Sequence, residues 1–155
     1  MELEANVFDI WVFRRAGAEV QYLLLHTSQL KADRHFNSGR FWQIPSGVVR
    51  EGETMLAALE RSLAGLGIDA SAIWAAEHGY TIYNRRFGTT QIIHVFAAEA
   101  RHGEVRLDPE EHSESRWCSF DEALSRVTYR GLKDGLRSTR EFITGREPPR
   151  ELQLR

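Results

Sequence analysis

The segment IPSGVVREGETMLAALERSLAGLGI, from Ile44 to Ile68, constrains the fold of this chain most strongly. A short apolar run ends at Pro45, a glycine-containing turn follows, and a helix-forming stretch begins after Thr54. Leucines recur in that stretch at spacings of three and four residues and form one apolar stripe: Leu56, Leu59, Leu63 and Leu66. With Thr54 as N-cap and Gly67 as C-cap, the pattern predicts a helix over about Thr54 to Leu66 that packs on a sheet.

Runs rich in strand-forming residues surround this helix. Before it, Asn6 to Arg15 and Val20 to Ser28 predict a hairpin that turns around Gly17, and FWQIP predicts a short strand. The intervening stretch QLKADRHFNSGR is predicted as a polar connection. After the helix, IWAAEHGYTIYN and TTQIIHVFAAEA predict two strands joined by the turn RRFG, and a charged hairpin-like stretch follows.

The C-terminal part completes the pattern. SRWCSF predicts a last strand, DEALSRV a short helix, and Tyr129 to Thr144 a final helix. Helices then lie at two places around a mixed sheet, which predicts an α/β sandwich rather than a doubly wound fold with strict alternation. We assign residues 1–145 to a single domain and predict that residues 146–155, REPPRELQLR, form a loose tail.

Composition limits the classes of partner. The chain has 155 residues, 42% of them hydrophobic and 27% charged, which suits one globular domain. A formal net charge of -2 argues against a nucleic-acid partner, and no apolar run reaches the ~18–20 residues of a membrane span. The single cysteine, Cys118, cannot form an internal disulfide, and the N-terminus lacks a signal-peptide layout. We therefore expect a cytoplasmic protein.

The stretch GVVREGE and its surroundings resemble the Nudix box, whose pattern is G-x5-E-x7-R-E-U-x-E-E-x-G-U, with U apolar. Gly47 and Glu53 match its opening. Residues common around the box also match: Pro45, Gly52 and Thr54. Downstream, EEHSESRWCSFDEAL resembles the family's loop, last strand and following helix. The resemblance spans about Val7 to Phe142 and implies a Nudix-type α/β/α sandwich around a mixed β-sheet.

The second half of the box departs from the family pattern, and two registers fit it. Without a gap, Arg61 matches the motif arginine, and the metal-binding glutamates fall on Ser62, Gly65 and Leu66. With one residue deleted, the motif arginine falls on Glu60, and the glutamates fall on Arg61, Ala64 and Gly65. We prefer the gapped register because it keeps the apolar stripe and the closing glycine in place. Neither register retains one of those glutamates.

The resemblance implies a hydrolase of a nucleoside triphosphate, or of a nucleoside diphosphate linked to another moiety, with Mg²⁺ or Mn²⁺ as cofactor. Such a metal takes carboxylate oxygens, neutralises phosphate charge and activates water. A site rebuilt from the remaining acids would hold the metal with Glu53, Glu60 and Glu111, and Glu60 and Glu111 would be its catalytic residues. His112, next to Glu111, would orient that carboxylate.

The alternative is a Nudix domain without hydrolytic activity and without a metal. Its loop offers backbone N–H groups at a helix N-terminus, and two arginines add fixed positive charge. The predicted phosphate-binding residues are Gly47, Arg50, Gly52 and Arg61. Under either hypothesis the partner is a small-molecule nucleotide or phosphate ligand, and the resemblance adds a homodimer as an available state. A structural or interaction module is the third hypothesis, because a fold alone does not determine function.

Four further residues are candidates for the ligand pocket. Phe36 and Tyr83 lie in polar surroundings, so we predict that they contact a base. Glu77 and His78 are candidates to face the pocket.

Overall fold

A computed structural model describes residues 1–155. The strands are β1 (Glu2–Ala16), β2 (Glu19–Thr27), β3 (Trp42–Gln43), β4 (Ser46–Val48), β5 (Ala70–Asn84), β6 (Thr89–Ala100) and β7 (His112–Cys118). The helices are α1 (Gln29–His35), α2 (Met55–Gly65), α3 (Phe120–Arg126) and α4 (Arg130–Thr139). A π-helical turn, Arg140–Thr144, continues α4, and a 3₁₀ turn, Arg150–Leu152, lies near the C-terminus. None of these helices has the length and apolar character needed to cross a membrane.

Seven strands form one mixed sheet. Their order is β3-β2-β1-β6-β5, with β4 also paired to β1 and β7 to β2. β1 runs parallel to β6, and every other pair is antiparallel. Both predicted hairpins, β1–β2 and β5–β6, are present. The sheet brings β2, β3 and β7 together at the side where the loop before β7 meets α1.

Two apolar cores cover the two faces of the sheet. Successive side chains of a strand point to opposite faces, so Ile10 and Val12 of β1 join the core under α2, whereas Trp11 and Phe13 join the core under α3 and α4. The continuous burial of β1 from Phe8 to Phe13 follows from this double cover. The predicted α/β/α sandwich around a mixed sheet is confirmed.

The helix at the centre of the sequence pattern forms as predicted. α2 begins after Thr54, whose hydroxyl oxygen accepts a hydrogen bond from the Ala57 N–H at 3.1 Å. Leu59 and Leu63 are buried against the sheet. Gly67 follows the helix with φ +66, a left-handed conformation that suits glycine.

The first part of the polar connection before β3, Gln29–His35, is helix α1, which we did not predict from the sequence. α1 buries only Ala32, and a helix with one buried residue shows no apolar periodicity. Its start is fixed by Ser28, whose hydroxyl accepts from the Lys31 N–H at 3.0 Å and donates to the Glu110 carbonyl at 2.5 Å. A contact with a loop that is distant in sequence therefore holds α1.

The C-terminal tail is ordered on the sheet, which corrects the prediction that it is loose. The Leu154 N–H donates to the Ile73 carbonyl at 2.8 Å, and the Ile73 N–H donates to the Arg155 carbonyl at 3.1 Å. Leu152 and Leu154 each pack against one of the two cores. The tail thus covers part of the outer edge of β5.

Candidate functional site

A cavity of about 220 Å³ lies between α2, the ends of β2, β3 and β4, and the loop before β7. Polar residues dominate its lining. The lining residues are Leu25, Lys31, Gln43, Pro45, Ser46, Ser62, Gly65, Leu66, Asp108, Glu111 and His112.

One face of α2 borders this cavity through Ser62, Gly65 and Leu66. Residues three and four positions apart are neighbours on a helix surface, so these three form one patch. They are the glutamate positions of the ungapped register. The gapped register that we preferred is wrong, because Arg61 turns away to Glu53 and Ala64 is not part of the cavity lining. The helix needs no gap to bury its leucine stripe.

Arg61 and Glu53 form a closed ion pair at the start of α2. Arg61 Nε lies 2.8 Å from Glu53 Oε2, and Arg61 Nη2 lies 2.9 Å from Glu53 Oε1 and 2.8 Å from the Val48 carbonyl oxygen. The Glu53 Oε1 also accepts from the Arg50 N–H at 2.9 Å. Hydrogen bonds from Arg61, and then from the Arg50 backbone, lower the pKa of Glu53 to about 2. The guanidinium thus fastens the turn to the helix.

Glu60 is outside the cavity. Its Oε2 lies 3.5 Å from Arg155 Nη1, and both side chains are exposed. The predicted rebuilt site from Glu53, Glu60 and Glu111 is not assembled, because Glu53 is paired with Arg61, Glu60 faces the C-terminal tail, and only Glu111 reaches the cavity.

Glu111 is held by a lysine. Lys31 Nζ, from α1, lies 2.6 Å from Glu111 Oε2 at the cavity. The hydrogen bond from Lys31 is the largest cause that lowers the pKa of Glu111. Glu111 was predicted from the sequence and does line the cavity, whereas Lys31 was not predicted.

His112 is neutral and fixed beside this pair. Its Nε2 lies 2.5 Å from Gln43 Nε2, a contact that one tautomer makes a hydrogen bond. Burial, and then the charge of Lys31, lowers the pKa of His112 to about 4. The imidazole is therefore uncharged near pH 7, so it contacts Gln43 and adds no positive charge.

These residues do not fit the divalent metal that the family resemblance implies. Mg²⁺ and Mn²⁺ prefer several carboxylate oxygens. On adjacent turns of its cavity face, α2 instead offers the Ser62 hydroxyl, Gly65 and Leu66. No group of three His, Cys, Asp or Glu side chains is arranged to hold a metal ion anywhere in the chain. What remains at the cavity is an ammonium group beside two carboxylates, those of Asp108 and Glu111. This arrangement suits binding of a polar ligand and does not suit metal activation of water.

The predicted phosphate loop has a structural role that the sequence alone did not show. A Cβ on Gly47 would lie 2.8 Å from the Phe8 ring, so close packing requires glycine there. Gly52 has φ +80, so the turn requires glycine there too. Neither glycine nor Arg50 borders the cavity. A phosphate-binding role for Gly47, Arg50 and Gly52 stays a prediction, whereas Arg61 is occupied by Glu53.

The remaining candidates lie elsewhere. Glu77 and His78 line a different, larger depression of about 320 Å³ at a bulge in β5, where Glu77 has φ +55. Phe36 packs edge-on against Phe41 with ring centroids 4.9 Å apart. Tyr83 is exposed near the far end of β5. None of the four reaches the α2 cavity, and the larger depression contains no residue of the box.

Several cavity residues were not found by sequence reasoning. Lys31 lies in the stretch we predicted as a connection, and Gln43, Ser46 and Asp108 were not among the predicted site residues. Because they come from four separate segments, only the fold brings them together.

The protein-family model described as NUDIX domain matches residues 4–139 of this chain. No curated protein matches it.

Solved structures share its fold. A Listeria monocytogenes protein assigned as a NUDIX hydrolase has 20% identity and a TM-score of 0.73, with 90% of this chain and 94% of that chain covered. A Caenorhabditis elegans Ap4A hydrolase, in a binary complex, has 20% identity and a TM-score of 0.69, with 90% and 98% covered. The NUDIX domain of Shewanella oneidensis NrtR, in complex with ADP ribose, has 16% identity and a TM-score of 0.69, with 91% and 88% covered. At these identities the likeness concerns the fold.

Proposed function

The chain belongs to the Nudix family, and we propose that it binds a nucleotide or another phosphate-containing small molecule at the α2 cavity without cleaving it through a divalent metal. One observation carries the proposal. The face of α2 that borders the cavity presents Ser62, Gly65 and Leu66, so the helix supplies no carboxylate to a metal.

The cavity size limits which part of a ligand enters. At about 220 Å³ it is smaller than the ~300–1,000 Å³ of sites that enclose a whole drug-sized ligand. A phosphate or diphosphate group fits such a volume, and the rest of a nucleotide would extend beyond it. Hydroxyl, amide and ammonium donors of Ser62, Gln43 and Lys31 are suited to phosphate oxygens.

Related structures support a nucleotide-like ligand. The NrtR domain was solved with ADP ribose, and the Ap4A hydrolase is named for a dinucleoside polyphosphate. Both ligands carry a diphosphate or longer phosphate chain between nucleoside or sugar groups. We extend this ligand class, and not the cleavage reaction, to the present chain.

The test measures binding and cleavage side by side. Thermal unfolding with inorganic pyrophosphate, ATP and ADP-ribose is followed in EDTA, and phosphate and pyrophosphate release is followed with Mg²⁺, Mn²⁺ or EDTA. We expect stabilisation in EDTA, which reaches about 2.7 kcal/mol at a ligand concentration of 100 Kd, and no metal-dependent release.

Metal-dependent release would contradict the proposal and make the chain a hydrolase of such substrates. Glu111→Gln and Glu60→Gln locate the source of any release, because Glu111 borders the cavity and Glu60 does not. Release that is lost in Glu111→Gln alone would place a metal at the cavity. Absence of stabilisation by all three compounds in EDTA would reject the binding function.

A further inference from the structure

We propose that the Lys31 ammonium is the cationic centre of the α2 cavity, takes the place of a divalent metal, and binds the phosphate oxygens of the ligand directly. The inference rests on the proposed function and names the group that would perform it.

Lys31 is the only positively charged side chain among the lining residues. Arg61, which the sequence suggested for this task, makes two hydrogen bonds to Glu53 and one to the Val48 carbonyl. His112 has its pKa lowered to about 4, so it carries no charge at neutral pH. An anionic ligand in this cavity therefore meets one cation, Lys31, together with the carboxylates of Asp108 and Glu111.

The Lys31 ammonium has donors to spare. An ammonium carries three N–H donors and no acceptor, and one donor serves the Glu111 carboxylate at 2.6 Å. The lysine side chain lines the cavity and keeps 24% of its surface exposed, so we expect the remaining donors to be available to a ligand. Ser62 and Gln43 border the same space and add neutral donors.

The fold fixes both partners of the Lys31–Glu111 contact, the helix that carries the lysine and the loop that carries the glutamate. Ser28 caps α1 through the Lys31 N–H, and the same hydroxyl donates to the Glu110 carbonyl. The Ser28 N–H donates to the Glu111 carbonyl at 3.0 Å. The helix that carries the ammonium and the loop that carries the carboxylate are therefore joined by their backbones. A fixed cation costs less conformational entropy on binding than a free surface lysine.

Glu111 then has a role opposite to that of a metal ligand. In the absence of a phosphate it neutralises Lys31, and an incoming phosphate competes with it for the ammonium. Removing the Glu111 charge would strengthen anion binding, whereas at a metal site the same change would weaken it. The sign of the Glu111→Gln effect therefore separates the two kinds of site.

The experiment measures pyrophosphate binding calorimetrically in EDTA for the wild-type protein and three variants. Lys31→Met is expected to weaken binding about tenfold or more, and Glu111→Gln to strengthen it about threefold to tenfold. Lys133→Met is the matched control, because Lys133 is the only other lysine and its Nζ donates to the Leu124 carbonyl away from the cavity. It is expected to bind as the wild type does. Urea unfolding shows whether each variant is folded.

A direct readout does not depend on a variant. In protein labelled with ¹⁵N-lysine, the Nζ signal of Lys31 is expected to shift on titration with pyrophosphate, and the Lys133 signal to stay in place.

The outcomes separate the inference from the proposed function. If the wild type binds pyrophosphate in EDTA and Lys31→Met binds equally well, or Glu111→Gln weakens binding, the inference is wrong and the proposed function stands. If the wild type fails to bind any of pyrophosphate, ATP and ADP-ribose in EDTA, both are wrong. Tighter binding by Glu111→Gln, with loss in Lys31→Met, establishes the ammonium site.

Discussion

At the scale of single residues, Arg61 shows how one ion pair changes the use of a helix face. Its guanidinium is planar and matches a carboxylate in a two-point contact, which Glu53 provides. Because they bind each other, Glu53 at the start of α2 and Arg61 one residue before the cavity face are both already paired. What is left for a ligand is Ser62 and the residues that follow it on the same face.

Asp9 is a second residue whose charge is constrained, in the opposite core. It is 5% exposed, and its Oδ2 accepts a hydrogen bond from the Tyr80 hydroxyl. Burial raises the pKa of Asp9 to about 6, and the bond from Tyr80 offsets only part of this. The folded protein therefore holds the proton more tightly than the unfolded chain does.

We predict that Asp9→Asn stabilises the protein above pH 6. A raised folded-state pKa means that the contribution of this carboxyl is fully present below about 3.8 and is lost as pH rises through about 6. A neutral amide avoids that loss, so the expected gain at pH 7 is up to about 3 kcal/mol, from ~1.4 kcal/mol for each pH unit.

Urea unfolding from pH 4 to pH 8 measures this effect. The difference between Asp9→Asn and the wild type is expected to grow between pH 4 and pH 6 and then level off. Asp121→Asn, at an exposed position of α3, controls for the general removal of a carboxylate. A difference that shrinks with rising pH would show that the carboxylate is stabilising as an anion.

At the scale of elements, α2 packs on the sheet with one face and borders the cavity with another. Its buried face, with Leu59 and Leu63, fixes the helix on the sheet, whereas Ser62 and Gly65 of its cavity face are not part of that core and Leu66 packs against it. A Cβ at Gly65 would meet no atom within 4 Å. Ser62 and Gly65 are therefore open to substitution without a change of fold.

We predict that Ser62→Glu combined with Gly65→Glu creates a divalent-cation site. The two new carboxylates lie three residues apart on one face and join Glu111 at the cavity, the donor set that Mg²⁺ and Mn²⁺ prefer. Mn²⁺ at ten times its Kd should then stabilise the variant by about 1.4 kcal/mol.

Thermal unfolding with and without MnCl₂ measures this gain. Ala64→Glu adds a carboxylate to the same helix outside the cavity lining and is expected to show no Mn²⁺ dependence. Equal stabilisation of the wild type, the control and the double variant by Mn²⁺ would show that the cavity face does not determine metal binding.

α1 and α2 also differ in how far the sequence predicts them. α2 has an apolar stripe and a capping threonine, both local signals, and it begins within one residue of the predicted position. α1 has a capping serine but buries only Ala32, so its sequence shows no apolar periodicity and the helix depends on tertiary contacts. Missing α1 meant missing Lys31, whose partner Glu111 is distant in sequence.

At the scale of the whole molecule, the sheet and its two covered faces were predictable because strand alternation and helix stripes are repeated many times along the chain. The site was only partly predictable, since it depends on single side chains from separate segments. Glu111 was found through the family loop, whereas the register of α2 was misjudged by one residue. A shift of one residue rotates the cavity face of a helix by about 100°, which is why Glu60 was placed in the site and lies opposite it.

The C-terminal tail connects both faces of the molecule, and we predict that its removal weakens the whole fold. Leu152 packs against the core under α3 and α4, Leu154 against the core under α2, and the backbone of Leu154 and Arg155 bonds to Ile73. Deleting residues 148–155 is expected to lower the free energy of unfolding by about 2–4 kcal/mol, the burial contribution of two partly covered leucines and an exposed strand edge.

Urea unfolding of the truncated and full chains measures this loss, and amide exchange at Ile73, which donates to the Arg155 carbonyl, reports on it locally. Gln153→Ala alters the tail without removing a core contact, so it is expected to unfold as the full chain does. Because the two cores share one sheet, the truncated protein should still unfold in one transition, with a lower midpoint. An unchanged midpoint, with fast exchange at Ile73 in the full chain, would mean that the tail is detached in solution and that β5 keeps its edge without it.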